Sequence, residues 1–419
     1  SLLSSQGNLV ALESANSDHE NGRWSIISAG PIQRLRITEQ GNTNTLLKKL
    51  EVFFEVLPKQ SHELPFIGGL LGHVSYDLGK SDMKGVLSPS FNDQPKLVAG
   101  VYTWAFVIDH QEAKTHLMYW HEISVISKRE LLQIFEESQQ ICKVKFELTQ
   151  PFSPLWSKQR YKQNIQAIHE YIDNGDCYQI NLAQCFKSAY QGSTIEAYQR
   201  LKEAAQVPYA SYFECDELNF ASLSPEMFID CRGGQITTKP IKGTQPRSTS
   251  PKLDDRYKAH LKESAKDRAE NLMIVDLLRN DLSINATQVR VPRLFDIESF
   301  STVHHLVSTI TAQINPDASP LKLFLEAFPG GSITGAPKKR AMEIIAELEN
   351  FPRSFYCGSS FYYSVNGNFS SNILIRSFLF QGNEILTWSG GGIIADSKWE
   401  MEHQESLDKI SRLMDSLKG

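Results

Sequence analysis

The sequence lacks the patterns that mark several whole classes of protein. None of its six cysteines stands in a C-x-x-C pair, which argues against a zinc site and against a disulfide framework. Such cysteine usage fits a reducing cytoplasm. Nowhere do about 18 apolar residues run together, and the stretch SLLSSQGNLVALESA has no basic start before an apolar core. We therefore expect a soluble protein that is not exported.

An excess of basic charge is also missing. The chain has 43 Lys and Arg residues against 48 Asp and Glu residues, for a net charge of -5. No basic field therefore exists to hold nucleic acid or an anionic membrane, and we expect neither as a partner. Because the composition is otherwise that of an ordinary globular protein, a small-molecule ligand is the better expectation.

Strand-like and helical patterns cover most of the 419 residues. The runs GHVSYDL and LVAGVYTWAFVI predict strands, and KRELLQIFEESQQIC predicts a helix. PFSPLW then punctuates the chain, and we place a boundary near Pro151 between an N-terminal region, 1–150, and a second region, 151–419. There KQRYKQNIQAIHEYID predicts a helix that ends at Gly175, and GNFSSNILIRSFLFQGNEILTWSGGG predicts a hairpin. Hairpins with interspersed helices indicate an α+β fold.

Two predicted helices carry pairs of carboxylates. Asp267 and Glu270 stand three residues apart on the predicted helix from Lys266 to Asp281, KDRAENLMIVDLLRND. Glu402 and Glu405 have the same spacing on the final predicted helix, SKWEMEHQESLDKISRLM. Residues at this spacing lie on one helix face. Mg²⁺ takes oxygen ligands and usually accepts only one or two protein carboxylates, so the supply is sufficient for a metal site. The alternative is an ordinary solvated acidic face.

Two glycine-rich segments could bind an anion. FPGGSITGAPKKRAMEII leads directly into a helix at Pro337, so unpaired N–H groups there could face an anion, although a simple helix entry is equally consistent. It is not a P-loop, because Ala and Pro follow Gly335 where that motif needs Lys and Ser or Thr. Gly390, Gly391 and Gly392 end a strand, where missing side chains would let a carboxylate approach backbone amides.

Single polar residues in apolar surroundings are harder to interpret. Arg376 in NILIRSF needs a partner, either a ligand carboxylate or a structural salt bridge. Lys242 in KPIKGTQPR could act as a nucleophile only if its amine is neutral, and most lysines are solvated. Glu226 in SLSPEMF and His305 in VHHLVS could equally be satisfied core residues.

Taken together, the motifs resemble those of the chorismate-utilising enzymes in order and wording. The matching segments run from Gly175 to Lys409 and are SLSPEMF, PIKGTQPR, KDRAENLMIVDLLRNDL, HHLVS, GGSITGAPKKRAMEII, YCGSSFYY, ILIRSF and SGGGIIADSKWEMEHQES. The resemblance implies one large α+β unit. In it, two antiparallel β-sheets pack across each other with surrounding helices, and the active site lies in a cleft between them.

Two positions indicate a branch of this family. Relatives that add water carry a lysine base where this chain has Gln179, and anthranilate synthases have alanine where Lys242 stands in PIKGT. The resemblance therefore implies amination of chorismate at C4 for 4-aminobenzoate and folate biosynthesis. In this reaction Lys242 attacks C2 and ammonia resolves the adduct at C4. Two alternatives are component I of an anthranilate synthase and a non-catalytic, tryptophan-sensing subunit.

The resemblance also implies roles for individual residues. Glu226 would be the general acid and His305 a catalytic neighbour, while Glu270 and Glu405 would bind Mg²⁺ with Asp267 and Glu402 nearby. The implied substrate-binding residues are Gly243, Thr244, Tyr362, Arg376, Gly390, Gly391 and Gly392. Two positions depart from the family pattern: Asp267 replaces a glutamate, which shortens its reach, and Phe361 replaces the glycine that commonly precedes the tyrosine.

Two further partners are implied. No G-x-C-x-G nucleophile elbow is present, so the resemblance implies a separate glutamine amidotransferase subunit that supplies ammonia in a heterodimer. The N-terminal region matches where the family places a buried L-tryptophan, a ligand that is more often structural than inhibitory in this branch. The tryptophan-binding residues implied are Ser14, Arg23, Trp24, Ser25, Ile26, Pro208, Tyr209 and Ala210.

Overall fold

The computed structural model describes residues 3, 6–17, 19–38, 42–80, 94–137, 144–216, 218–300 and 303–418. Its helices are α1 Thr43–Phe54, α2 Lys128–Glu137, α3 Lys158–Asp173, α4 Thr194–Ala205, α5 Pro251–Glu263, α6 Ala265–Ser283, α7 Pro320–Ala327, α8 Lys338–Leu348, α9 Trp399–Asp408 and α10 Ser411–Ser416. Its strands are β1 Val10–Glu13, β2 Trp24–Ser28, β3 Gln33–Ile37, β4 Gly69–Val74, β5 Leu97–Tyr102, β6 Trp104–Asp109, β7 Lys114–Tyr119, β8 Phe146–Leu148, β9 Ser153–Pro154, β10 Gln179–Gly192, β11 Tyr209–Cys215, β12 Leu218–Ser224, β13 Met227–Arg232, β14 Gln235–Thr238, β15 Ile241–Pro246, β16 Ala286–Ser299, β17 Val303–Ile314, β18 Gly335–Ala336, β19 Ser359–Ser364, β20 Phe369–Asn372, β21 Ser377–Gln381 and β22 Glu384–Ile393.

These strands form two antiparallel sheets. The first has the order β18-β10-β22-β21-β12-β11-β1-β2-β6-β7, with β8 and β9 paired to β10. The second has the order β15-β17-β14-β13-β20-β19-β4-β5-β3, with β16 paired to β17. The predicted α+β class with two antiparallel sheets is confirmed.

Strands from both sides of Pro151 enter both sheets. In the first sheet β1 pairs with β11, and in the second β4 pairs with β19. One large apolar core runs from Val10 to Ile393 and draws on both sequence regions. Within the described residues, no helix has the length and apolarity needed to cross a bilayer.

Several local predictions are confirmed. Ser157 caps α3 by accepting a hydrogen bond from the Arg160 N–H, and the chain leaves this helix at Gly175 with φ +80°. The run from Gly367 to Gly392 contains the predicted hairpin, β21–β22, which turns at Gly382 with φ +57°. Its first part, β20, instead joins the second sheet, so this run crosses between the two sheets.

The prediction of one continuous final helix is wrong. The helix breaks at Lys409 and Ile410 into α9 and α10. The break lets Ile410 and Leu413 bury in a second apolar cluster to which α4 also contributes, while α9 stays against β22 and α3. The prediction for α2 extended to residue 142, and residues 138–142 of it lie outside the described residues.

Candidate active site

Lys242 lies at an irregularity in strand β15. Ile241 pairs with Val307 and Thr244 pairs with His305 on β17, so Lys242 and its neighbouring glycine together stand opposite one residue. Such a β-bulge turns a side chain away from the regular ladder. The glycine that follows, with φ +80°, adopts the left-handed conformation that the bulge requires.

The bulge directs Lys242 towards a buried carboxyl group. Lys242 Nζ donates a hydrogen bond to the Ser332 carbonyl oxygen at 3.2 Å. Partial burial lowers the pKa of Lys242, although the charges of Glu270 and Glu226 oppose this shift. Burial raises the pKa of Glu226, 6% exposed, to about 7 despite the Ser332 hydroxyl and the Lys242 charge. Both pKa shifts therefore act towards the neutral amine that a nucleophile needs and the protonated carboxyl that an acid needs.

His305 completes the catalytic set predicted from the sequence. Its ring is 2% exposed, and Nδ1 lies 2.8 Å from the Thr244 hydroxyl. Nε2 has no hydrogen-bond partner within the part of the chain that the structure describes. Burial, followed by the charge of Arg376, lowers the pKa of His305 to about 3. The imidazole is therefore neutral, and Nε2 is available to a ligand.

Arg376 is held in an unusual conformation between the two sheets. Its φ of +53° is rare for a residue with a side chain, and its carbonyl accepts the Leu223 N–H. Burial lowers the pKa of the guanidinium. No described residue forms an ion pair or hydrogen bond with this guanidinium, so the structural salt bridge considered for it is not found. A partly buried cation without a counter-ion favours an anionic ligand.

The carboxylates of α6 and α9 come together across the cleft. Lys266 Nζ lies 3.9 Å from Glu270 Oε1 and 3.6 Å from Glu402 Oε1. Lys409 Nζ lies 2.7 Å from Glu405 Oε1. Burial raises the pKa of Glu270, whereas the Lys409 charge lowers the pKa of Glu405. The two helices therefore present carboxylate groups, three of which lie beside the ammonium groups of two lysines.

The donor chemistry of this cluster fits Mg²⁺. A Cβ placed on Gly391 would lie 3.6 Å from Glu402 Oε2 and 3.8 Å from Glu405 Oε1, so both carboxylates border the glycine strand. Asp267 contacts Gly243 instead. Over the described residues, no group of three or more His, Cys, Asp or Glu side chains is arranged to hold a metal ion. Mg²⁺ needs only one or two protein carboxylates, so Glu270 and Glu405 remain suitable.

The glycine cluster of β22 packs closely against β10. A Cβ on Gly390 would collide with the Leu182 carbonyl oxygen, and one on Gly392 would collide with Gln179 Nε2. Gln179 is fully buried, and neither atom of its amide has a partner in the described ranges. A buried amide in this state costs about 1–3 kcal/mol, which favours a ligand that hydrogen-bonds it.

Part of the glycine-rich loop before α8 forms a short strand of the first sheet. Gly335 and Ala336 form β18 against β10, and the Thr334 carbonyl accepts the Asn181 N–H. Pro337 stands at the N-cap position of α8 without a side-chain hydrogen bond, one residue before the first turn in which the sequence placed it. The loop contributes Ser332 to the site through both its carbonyl and its hydroxyl group.

Tyr362, which the resemblance assigns to substrate binding, borders residues of the N-terminal region. It lines a cavity of 340 Å³, the N-terminal cavity, whose wall includes Glu13, Arg23, Trp24 and Tyr209. There its hydroxyl accepts a hydrogen bond from Arg232 Nη2 at 3.4 Å. Side chains alternate along β19, so Phe361 points to the opposite face and packs on Phe324 and Phe369. The structure thus places Tyr362 with the N-terminal cavity, and its role in substrate binding stays a prediction.

This N-terminal cavity contains most of the predicted tryptophan-binding residues. Those lining it are Arg23, Trp24, Ile26, Pro208, Tyr209 and Ala210. Ser14 and Ser25 are not in its wall, because Ser25 points to the other face of β2 and hydrogen-bonds His110 Nε2 at 2.7 Å. The Ser14 hydroxyl instead accepts the Asn16 N–H.

Three residues of the active site were not predicted. Lys266 stands four residues before Glu270 and Lys409 four after Glu405, a spacing that signals ion pairs on a helix. Ser332 has no such signal, because it joins the site only through folding.

Comparisons with known proteins show what the chain is similar to. The model of a family described as chorismate binding enzyme matches residues 9–415. The chain is 40% identical to aminodeoxychorismate synthase component 1 of Escherichia coli, over 97% of this chain and 93% of that protein. It is 30% identical to anthranilate synthase component 1 of Aquifex aeolicus, over 97% and 89%. Anthranilate synthase component I of Streptococcus pneumoniae has a similar structure, with a TM-score of 0.82, 26% identity and coverage of 94% and 92%.

Proposed function

Since the chain belongs to the family of chorismate binding enzymes, we propose that it replaces the C4 hydroxyl of chorismate with an amino group. The product would be 4-amino-4-deoxychorismate, a precursor of 4-aminobenzoate and folate. Greater identity to an aminodeoxychorismate synthase component than to an anthranilate synthase component supports this choice. The observation that carries the proposal is Lys242, directed by a β-bulge towards Glu226 with its pKa lowered by burial.

The reaction would proceed through two displacements. The neutral amine of Lys242 forms a bond to C2, the two ring double bonds shift, and the C4 hydroxyl departs as water with a proton from Glu226. Ammonia then attacks C4, the double bonds shift back, and Lys242 leaves C2. Glu226, now a carboxylate, receives the proton that ammonia loses. A carboxyl with a pKa of about 7 suits both transfers.

Arg376 and His305 would bind and orient the substrate. The guanidinium has no protein counter-ion in the described chain and suits a substrate carboxylate, since charge-assisted hydrogen bonds to carboxylates are strong. Neutral His305 would offer Nε2 to the substrate, since this nitrogen has no partner in the described chain while Nδ1 lies beside the Thr244 hydroxyl.

We propose that Glu270 and Glu405 hold Mg²⁺, with Glu402 and Asp267 close by. When bound, the ion would supply positive charge for a ring carboxylate. The oxygen-only donor set and the closeness of Glu402 and Glu405 to Gly391 support this assignment. Lys266 would then exchange its carboxylate partners for solvent, which its half-exposed side chain allows.

Ammonia would come from a separate glutamine amidotransferase subunit, and the name "component 1" of the relatives supports such a pairing.

The N-terminal cavity would bind L-tryptophan, because its wall combines aromatic rings with both carboxylate and guanidinium groups. Five buried thiols are free, which supports a reducing, cytoplasmic setting.

The test is product analysis by mass spectrometry after incubating the protein alone with chorismate, Mg²⁺ and ammonium. We expect 4-amino-4-deoxychorismate, which an added lyase converts to 4-aminobenzoate. Anthranilate as the product would favour the first alternative and reject the assignment of Lys242. Unchanged chorismate would reject amination and favour a non-catalytic subunit.

A further inference from the structure

A buried ion cluster lies close to the nucleophile. Lys239 connects β14 to β15, three residues before Lys242, and is 8% exposed. Its ammonium contacts the carboxylate of Glu20 and lies 3.1 Å from Glu298 Oε1. A buried ammonium persists only when anions compensate for its lost hydration, so these two carboxylates fix the position of Lys239.

A column of rings lies beside this cluster. The His19 ring stacks on Phe300 with centroids 4.6 Å apart, and His19 Nε2 lies 3.6 Å from Glu298 Oε2. Phe300 in turn packs edge-on against the catalytic His305 with centroids 5.0 Å apart. Glu298 also stands directly opposite His305 in the β16–β17 ladder. The ion cluster and the column of rings therefore lie against β15, which carries Lys242, and β17, which carries His305.

Strand β15 needs such support from outside its ladder. The bulge removes Lys242 and Gly243 from regular pairing with β17, and a glycine with φ +80° adds no side chain to pack. The position of the Lys242 amine then depends on what fixes the chain before the bulge. Lys239 is the charged residue that lies there, and Pro240 restricts the link between Lys239 and β15.

We propose that Lys239 is a positioning residue that, with Glu20 and His19, holds the bulge so that Lys242 meets its substrate in a reactive geometry. The proposal rests on Lys242 being the nucleophile. Glu20 belongs to the segment between β1 and β2 and also lines the N-terminal cavity. One segment of the N-terminal region therefore serves both as cavity wall and as support for the nucleophile.

The sharpest test changes Glu20→Gln, because this side chain is 52% exposed and its replacement leaves the fold intact. A displacement of about 1 Å can cost on the order of 10²-fold in rate, so the smaller shift expected here should lower kcat with ammonium about 3- to 10-fold. The KM for chorismate and Tm should stay unchanged. Glu112→Gln breaks an exposed ion pair with Lys114 and serves as the matched control with unaltered kcat.

A second pair of variants separates positioning from folding. Lys239→Arg keeps the positive charge and should retain most of kcat, whereas Lys239→Met should lose more than Glu20→Gln, with activities referred to the folded fraction measured by circular dichroism. Wild-type kcat in both Glu20→Gln and Lys239→Met would overturn the proposal. An active Lys242→Ala variant would instead reject the nucleophile itself, so the two failures are distinguishable.

Discussion

The active-site cleft and the N-terminal cavity differ in how their arginine side chains are paired. In the cleft, Arg376 has no counter-ion and His305 Nε2 no partner among the described residues. In the cavity, Arg23 forms a two-pronged ion pair with Asp109, and Arg232 lies 3.1 Å from Asp230. Groups left without partners are expensive unless a ligand satisfies them, so the cleft is prepared for an anionic substrate.

The two regions also differ in backbone conformation. The cleft contains Arg376 at φ +53° and the bulge at Lys242, both of which cost local stability. In the wall of the cavity, β2 and β11 pair regularly with their neighbours, whereas the β13–β20 ladder has a register shift between Met227 and Ile229. A left-handed backbone conformation at a residue with a side chain therefore occurs at Arg376 and at none of the residues that line the cavity.

The largest effect should follow Lys242→Ala. Without the amine no adduct at C2 can form, and we expect amination to fall by at least about 10²-fold. The measurement is kcat with ammonium and chorismate, with Lys114→Ala as the exposed control. Full activity in the variant would show that the lowered pKa of Lys242 has no catalytic use.

Glu226→Gln should lower kcat by about 10²–10⁴-fold, the usual range for loss of a general acid. The protonated fraction of Glu226 falls as pH rises through about 7, while the neutral fraction of Lys242 increases as pH rises through its own lowered pKa. The wild-type profile of kcat/KM should therefore bend near pH 7. If the variant keeps this bend, Glu226 is not the acid.

Arg376→Met tests the unpaired guanidinium of the cleft. Loss of a charged hydrogen bond worth about 1.5–3 kcal/mol should raise the KM for chorismate about 10- to 100-fold. Arg232→Met, which alters the paired guanidinium of the cavity, is the matched control and should leave this KM unchanged. Equal increases in KM for both variants would remove the contrast between the two regions.

The smallest effect should come from Tyr362→Phe. The change removes one neutral hydroxyl from the cavity, so we expect the Kd for L-tryptophan, measured by calorimetry, to rise about 2- to 10-fold. The KM for chorismate should not change. A raised KM with unaltered tryptophan binding would instead support the role in substrate binding that the resemblance implies for Tyr362.

Periodicity predicted the elements whose signals are local. Helices α3 and α6 follow their apolar spacing and serine caps. The final helix was predicted too long because burial of Ile410 and Leu413 in a cluster shared with α4, a distant element, decides where it breaks. The location of Tyr362 in the wall of the N-terminal cavity also depends on tertiary structure, since strand alternation and the register of β19 determine which face its side chain joins.

The sequence by itself determined the family and the chemical groups available, because ordered motifs such as PIKGT and SLSPEMF specify residue types and spacing. Only the tertiary structure decided what those groups can do. The pKa of Glu226 depends on burial and on Ser332, 106 positions away along the chain, and that of Lys242 depends on burial and on Glu270. Loss of water and proximity of charge arise between distant segments, and no local pattern encodes them.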